Sequence, residues 1–221
     1  MEYYIPPVEH ASGTHLSDAP PRHPLSPVPT PQSILRLPFT IEDEPVGLMP
    51  MGETTLHPPP ESPYGHPGMD FMWPNKAPMV IALGGEVVDI RSVAEHEGGY
   101  YVQVVTSDFI VNYNVSELYV VNPDIGVGSQ VVTGQLLGYP FPVPDAGGWH
   151  STHWEFGKYE KIDDPKPNHE GIVEKYRTSR LCPVPYLTDS ERARLFRIWE
   201  TAAYDEKDLF PELCNGYYKN Y

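Results

Sequence analysis

Two short segments decide the fold of this 221-residue chain, HPGMDF at residues 66–71 and HSTHWEFG at residues 150–157. The Pro-Gly pair in the first segment disfavours a helix, and an extended chain repeats its side chains every two residues. His66 and Asp70 are therefore predicted to point the same way. His153 lies in a segment that reads as a strand and offers a third ligand. Two histidines and one carboxylate, with a fourth position left for water, form a set typical of catalytic zinc sites.

The charge of the chain excludes several classes of partner. The net charge is −15 and the pI is near 4.9, which argues against nucleic acid, whose phosphates need Lys and Arg. The same charge disfavours an anionic membrane surface and would repel an acidic cell-wall polymer.

The sequence has no apolar run of about 18 residues, so no membrane span is predicted. Its first residues lack the basic start and apolar stretch of a secretory signal. We expect an intracellular or organellar protein unless a leader was removed or export uses another route. Cys182 and Cys214 form either one disulfide or two buried thiols, and the sequence leaves both open.

Residues 1–62 read as an extended arm. Most of the 27 prolines fall before residue 75, and such a segment favours polyproline geometry over helices or regular ladders. An arm of this kind is suited to lying across its own domain or a protein partner.

Residues 63–157 are predicted to form a mainly β, antiparallel sheet domain. From residue 76 onward, apolar and β-branched segments recur at roughly 8–12-residue spacing, separated by Gly, Asn and Asp turns. Residues 158–221 form a C-terminal extension with one amphipathic helix. This helix is predicted to begin at Thr188, with an acid three residues later, and to run for about four turns.

The β domain resembles the lysostaphin/LytM-type zinc metallopeptidases, which share a duplicated hybrid motif fold and act on peptidoglycan peptides. Four motifs occur in the order of that family: His-x-Gly-x-Asp-Phe at residues 66–71, an apolar β stretch at 77–88, Gly-x-x-Val-x-x-Gly-Gln-x-x-Gly at 128–138, and His-Trp-Glu-Phe at 153–156. The resemblance covers about residues 47–157. It implies zinc ligands at His66, Asp70 and His153.

Two further histidines of the family are replaced in this chain. The first His of the terminal His-x-His falls on Ser151, and the His that precedes Leu-Ser-Glu falls on Asn114. Neither replacement accepts a proton near neutral pH. His150 is an adjacent candidate for a replacement base, but positions 150 and 153 face opposite sides of a regular strand, so rescue would need a bulge.

The remaining polar residues are interpreted without a direct role in metal binding or catalysis. Glu155 shares a face with His153 by alternation and is predicted to support that histidine rather than to take part in chemistry. Four histidines of the arm read as solvated side chains: His10, His15, His23 and His57.

Three functions remain open at this point, and one of them, a zinc hydrolase that acts on another substrate, has no positive sign in the sequence. The first is a degenerate member of the family, a pseudoenzyme that retains a zinc site and acts as a binding or structural subunit. The second is an active zinc metalloendopeptidase that hydrolyses peptidoglycan cross-bridge peptides. The intact ligand trio supports the second, whereas Asn114, Ser151 and the acidic charge support the first.

Overall fold

The computed structural model describes residues 34–58, 64–92, 99–106, 110–143, 147–161 and 176–219, together with Asp164 and Lys166. Residues 110–117, 159–161, 176–179 and 219 are described through their backbone alone. The described part contains ten strands: β1 (Gly47–Met49), β2 (Met69–Trp73), β3 (Met79–Val80), β4 (Gly85–Ser92), β5 (Tyr100–Val105), β6 (Ile110–Val121), β7 (Gln130–Val131), β8 (Leu136–Pro142), β9 (His150–Lys161) and β10 (Tyr176–Arg180). It also contains helix α1 (Asp189–Thr201) and the 3-10 helices Val184–Tyr186 and Gly216–Lys219.

All ten strands join one sheet, and every pairing between them is antiparallel. The order is β1-β2-β9-β8-β6-β5-β4-β7, with β10 added to β9, β3 added to β8, and a further pairing between β9 and β6. The predicted mainly β, antiparallel fold with a C-terminal helix is confirmed. Strand β9 lies at its centre because it pairs with four other strands.

Strands β2 and β9 each have one buried face and one half-exposed face. Side chains at alternate positions of each strand are nearly inaccessible: Met69, Phe71, Trp73, Thr152, Trp154 and Phe156. The positions between them, including Asp70 and His153, are half-buried. This period of two follows from strand geometry, and it places Asp70 and His153 on the face away from the core.

The buried face is covered by residues from both sides of the β domain in the sequence. Residues 34–58, part of the predicted arm, contribute Leu35, Leu37, Phe39, Leu48 and Met51 to the core, and β1 pairs with β2. Residues 34–58 thus pack on the sheet although they precede the boundary expected at residue 62, and Leu35, Leu37 and Phe39 alternate with Arg36 and Pro38 so that all three share one buried face. The rest of the arm, residues 1–33 and 59–62, lies outside the described residues, and its role stays a prediction.

Described residues of the C-terminal extension likewise join the sheet and the core. The boundary expected at residue 157 falls inside β9, whose polar end reads as a loop in sequence but pairs with β10. Helix α1 begins after Thr188, whose side chain accepts a hydrogen bond from the Glu191 N–H, as predicted. A disulfide joins Cys182 to Cys214, which settles the pairing that the sequence left open.

A buried arginine fixes α1 to the N-terminal segment. The Nε of Arg194 lies 2.7 Å from a carboxylate oxygen of Glu44, its guanidinium also donates to the carbonyls of Phe39 and Thr40, and its side chain is 7% exposed. Arg197, whose side chain is 59% exposed, pairs with the same Glu44 oxygen. In the described part of the chain, no helix is long and apolar enough to cross a membrane.

Arg194→Met is expected to lower the free energy of unfolding by about 3 kcal/mol, because removing one partner of a buried ion pair leaves buried acceptors without donors. Arg197→Met, the matched control, is expected to cost below ~1 kcal/mol, as exposed pairs do. Urea unfolding of both variants measures the difference. Equal losses would show that Arg194 does not anchor the helix.

Candidate metal centre

Asp70 and His153 face each other across two paired strands. Strands β2 and β9 pair residue for residue from Met69 opposite Trp154 to Trp73 opposite His150, and this register puts Asp70 directly opposite His153. Directly opposed side chains share one face of a sheet and lie close together. Asp70 Oδ1 lies 2.6 Å from His153 Nδ1.

His66 reaches the same point from the segment that leads into β2. Its backbone bridges to Gly52, and its Nε2 lies 3.2 Å from Asp70 Oδ1 and 3.1 Å from His153 Nδ1. The segment between His66 and β2 passes so close to β9 that a Cβ at Gly68 would lie 2.9 Å from His153 Nε2. Glycine at position 68 therefore allows the loop to bring His66 beside Asp70.

The three side chains fit a zinc ion. One ligand atom from each of His66, Asp70 and His153 lies within 4.8 Å of the others. Tetrahedral zinc with bonds of about 2.0–2.1 Å spaces its ligands roughly 3.3 Å apart, close to two of the three separations. Two imidazole nitrogens and one carboxylate oxygen are also ligands that zinc accepts, so the donor set and the spacing agree.

Both imidazoles are held in the orientation that ligation needs. His66 Nδ1 lies 2.9 Å from the Pro50 carbonyl oxygen, which can only accept, so Nδ1 carries the proton and Nε2 faces the other ligands. His153 Nε2 lies 3.2 Å from Glu155 Oε1, and Arg180 Nε lies 3.0 Å from the other oxygen of Glu155. Metal-bound histidines typically donate their second N–H to such an oxygen.

The charges at the site stabilise one another in the metal-free protein. Burial opposes ionisation of Asp70, but the charges of His66 and His153 and their hydrogen bonds lower its pKa below the ordinary value. Burial likewise opposes protonation of His153, yet Asp70 and Glu155 raise its pKa to about 10. Burial would raise the pKa of Glu155, whereas its hydrogen bond to His153 and the charges of His153 and Arg180 lower it. The metal-free site is therefore a carboxylate–imidazolium network.

A third imidazole, His57, lies at this site, contrary to its interpretation as a solvated arm residue. Its ring stacks on His66 with centroids 5.0 Å apart, and its Nδ1 lies 3.1 Å from the hydroxyl of the buried Thr54. Burial and the charges of His66 and His153 lower the pKa of His57, although Asp70 raises it. No motif marks His57 in the sequence, because it lies among the prolines that precede residue 61.

The two positions of the replaced histidines and the candidate replacement base, His150, do not all lie on one strand face. Ser151 and His153 occupy the half-exposed face of β9. His150 lies on the other face, because β2 and β9 pair without a bulge from residue 150 to 154, and its Nδ1 has no hydrogen-bond partner among the described residues. The backbone of Asn114 pairs with Trp154, and it is Val115 that lies opposite His153. The assignments of His150, Ser151 and Asn114 stay predictions.

The sequence matches no protein-family model and no curated protein. Among solved structures the chain is similar to lysostaphin, a peptidase of Staphylococcus simulans, at 19% identity over 52% of this chain and 44% of that chain, with a TM-score of 0.41. It is similar to the catalytic domain of EnpA from Enterococcus faecalis at 19% identity, 56% and 86% coverage and a TM-score of 0.42.

A zinc-containing peptidase from Vibrio cholerae is similar at 17% identity, over 72% of this chain and 41% of that chain, with a TM-score of 0.44. The chain thus spans less than half of the lysostaphin and Vibrio chains that it resembles. The roles of individual residues in this chain depend on the geometry described above.

Asp70→Asn is expected to destabilise the metal-free protein by about 2 kcal/mol near pH 6, somewhat below the cost of breaking a fully buried pair. The lowered pKa of Asp70 stabilises the fold above its unfolded value near 4, and this contribution is lost as the pH falls. The raised pKa of His153 stabilises the fold below about 6.5, and that contribution disappears as the pH rises through the folded pKa.

The difference between wild type and Asp70→Asn should therefore shrink toward pH 10. Urea unfolding at several pH values, with a chelator present to keep the protein metal-free, measures this difference in the free energy of unfolding. Asp189→Asn is the control, because Asp189 is 89% exposed. A difference independent of pH would contradict the ionic network.

Proposed function

We propose that this protein is a zinc-binding member of the lysostaphin/LytM type whose catalytic set is incomplete, and that it acts mainly as a binding or structural subunit. The observation that carries the proposal is that two neighbouring positions on one face of β9 differ in their chemistry. His153 is oriented for a metal by Glu155, whereas Ser151, at the neighbouring position of the same face, offers no group that accepts a proton near neutral pH.

The zinc part of the proposal is supported by the three candidate ligands and by the oxygens that orient their imidazole rings. His66 would bind through Nε2, His153 through Nδ1, and Asp70 through a carboxylate oxygen. A zinc ion with an open position lowers the pKa of a bound water to about 7 and polarises carbonyl groups. The protein's contribution is the fixed orientation of both rings by Pro50 and Glu155.

The incomplete catalytic set follows from where the proton-accepting groups lie. Peptide hydrolysis needs a positioned group to move a proton to the leaving amine, and its loss typically costs about 10²–10⁴-fold. His150 lies on the opposite face of β9. Glu155 shares the correct face but engages His153 through one oxygen and Arg180 through the other. Neither is placed to replace the missing histidines.

The binding role is supported by composition. A net charge of −15 disfavours an acidic polymer as substrate, because like charges repel. The proline content of residues 1–33 favours polyproline geometry, and a segment of that kind suits contact with a protein partner. We propose a protein partner for this arm, and neither nucleic acid nor an anionic membrane surface.

The alternative is an active zinc metalloendopeptidase that cuts peptidoglycan peptides. The observation that favours it is His57, which brings an imidazole beyond the ligand trio into ring contact with His66. On this alternative His57 takes the place of the replaced histidines.

Wild-type protein is expected to bind one zinc ion, and His153→Ala is expected to weaken binding at least tenfold, since one of three protein ligands is lost. Competition with a chromophoric chelator measures both affinities. His150→Ala is the matched control, because it removes an imidazole from the same strand but from the other face, and it should bind as wild type does. Absence of zinc binding by wild type would refute the proposed metal site.

Zinc-loaded wild type is expected to release few or no new amino groups from purified peptidoglycan. Ser151→His, alone and with Asn114→His, should raise the rate, because it places an imidazole two residues from His153 on the same strand face. Robust wild-type turnover that Asp70→Asn abolishes would support the alternative. Loss of that turnover in His57→Gln, but not in His150→Gln, would assign the missing role to His57.

A further inference from the structure

We propose that Arg180, on the C-terminal strand β10, is a positioning residue for the metal centre and acts through Glu155 on His153. The proposal deepens the proposed function, because it rests on zinc binding at His66, Asp70 and His153. It assigns a role at the site to a residue outside the segments that carry the family motifs.

The first step is a continuous chain of contacts that leads away from the metal centre. His153 Nε2–H donates to Glu155 Oε1 over 3.2 Å, and Arg180 Nε–H donates to Glu155 Oε2 over 3.0 Å. The side chains of His153 and Glu155 are 13% and 14% exposed, whereas that of Arg180 is 42% exposed. The carboxylate is thus nearly enclosed and is held at both oxygens.

The second step is geometric, because a carboxylate held at both oxygens has one orientation. With Oε2 fixed by Arg180, Oε1 remains directed at His153 Nε2. When a metal ion displaces the Nδ1 proton of the imidazolium, the remaining proton is kept on Nε2, and the Nδ1 lone pair is directed at the position between Asp70 and His66. Oxygen partners of this kind fix both the tautomer and the ring orientation of a metal-bound histidine. Without Arg180, Glu155 could rotate toward solvent and release the ring.

The third step is that the backbone holds Arg180 in place. Strand β10 pairs with β9 from Tyr176 to Arg180, with Arg180 opposite Gly157. The next residue, Leu181, donates its N–H to the Phe156 carbonyl over 2.8 Å. Cys182 follows and is joined to Cys214, whose segment pairs with Met51. The C-terminal extension is therefore attached on both sides of the metal centre, near Glu155 and near the Gly52–His66 bridge.

The test measures zinc affinity in full-length protein with a competing chelator, for wild type, Arg180→Met, Arg180→Lys, Glu155→Gln and the double variant. Arg180→Met is expected to weaken binding about tenfold and Glu155→Gln about 10–100-fold, the usual range for partners of ligating histidines. Arg180→Lys should restore part of the affinity. The double variant should bind no more weakly than Glu155→Gln alone, because Arg180 acts only through that carboxylate.

Arg192→Met is the matched control. It removes an arginine of similar exposure, 36%, that pairs with Asp189 on α1, away from the site, and its zinc affinity should equal that of wild type. A second readout is the visible absorption of the cobalt-substituted protein, which reports the ligand geometry. It should change in Arg180→Met and Glu155→Gln but not in Arg192→Met.

The outcomes separate this proposal from the one on which it rests. If wild type binds no zinc, the metal site and the role of Arg180 are refuted together. If wild type binds zinc and Arg180→Met binds it equally well, only the role of Arg180 is refuted. Additive losses in the double variant, or an equal loss in Arg192→Met, would also overturn it, because Arg180 would then act independently of Glu155 or through stability alone.

Discussion

The register between β2 and β9 is the constraint on which the rest of the structure depends. It sets Asp70 opposite His153, and the same alternation buries Phe71 and Trp154 on the other face. Because side chains alternate with a period of two, a slip of one residue would expose the aromatic core and bury the carboxylate. The packing energy of the core therefore selects the register that assembles the candidate metal centre, and the site needs no separate interaction to bring its two strands together.

Residues that precede and follow the β domain in the sequence contact both faces of this strand pair. On the buried face, Phe39 packs edge-on against Phe71 with ring centroids 5.0 Å apart, and Arg194 joins α1 to the same N-terminal segment. On the other face, the Pro50 carbonyl orients His66 and Arg180 holds the carboxylate that orients His153. The described residues 34–58 and 176–219, which the sequence assigns to an arm and an extension, thus contribute to the core and to the site.

The sequence predicts those features that depend on residues close together in the chain. The strand pattern, the Thr188 cap of α1 and the convergence of His66 with Asp70 follow from alternation, capping and short spacing. Long-range partners do not. His57 and Arg180 reach the site through sheet pairing and loop closure across distant parts of the sequence, and neither has a local pattern. The alternation of Leu35, Leu37 and Phe39 is a local pattern, but it spans only five residues within a proline-rich segment, and the sheet surface that it covers is formed by residues far away in the sequence.

At Glu155, the contacts that orient a candidate metal ligand compete with a role in catalysis. A carboxylate on the same face as a metal ligand is a natural candidate for a general base, provided that one oxygen is free and its pKa lies near the working pH. Here one oxygen receives the His153 N–H and the other receives Arg180. The hydrogen bond from His153 and the charges of His153 and Arg180 lower the pKa of Glu155 despite its burial, which weakens it further as a base. The contacts that fix the orientation of His153 for a metal thus withdraw Glu155 from proton transfer, and an active site on this framework would have to place its base elsewhere.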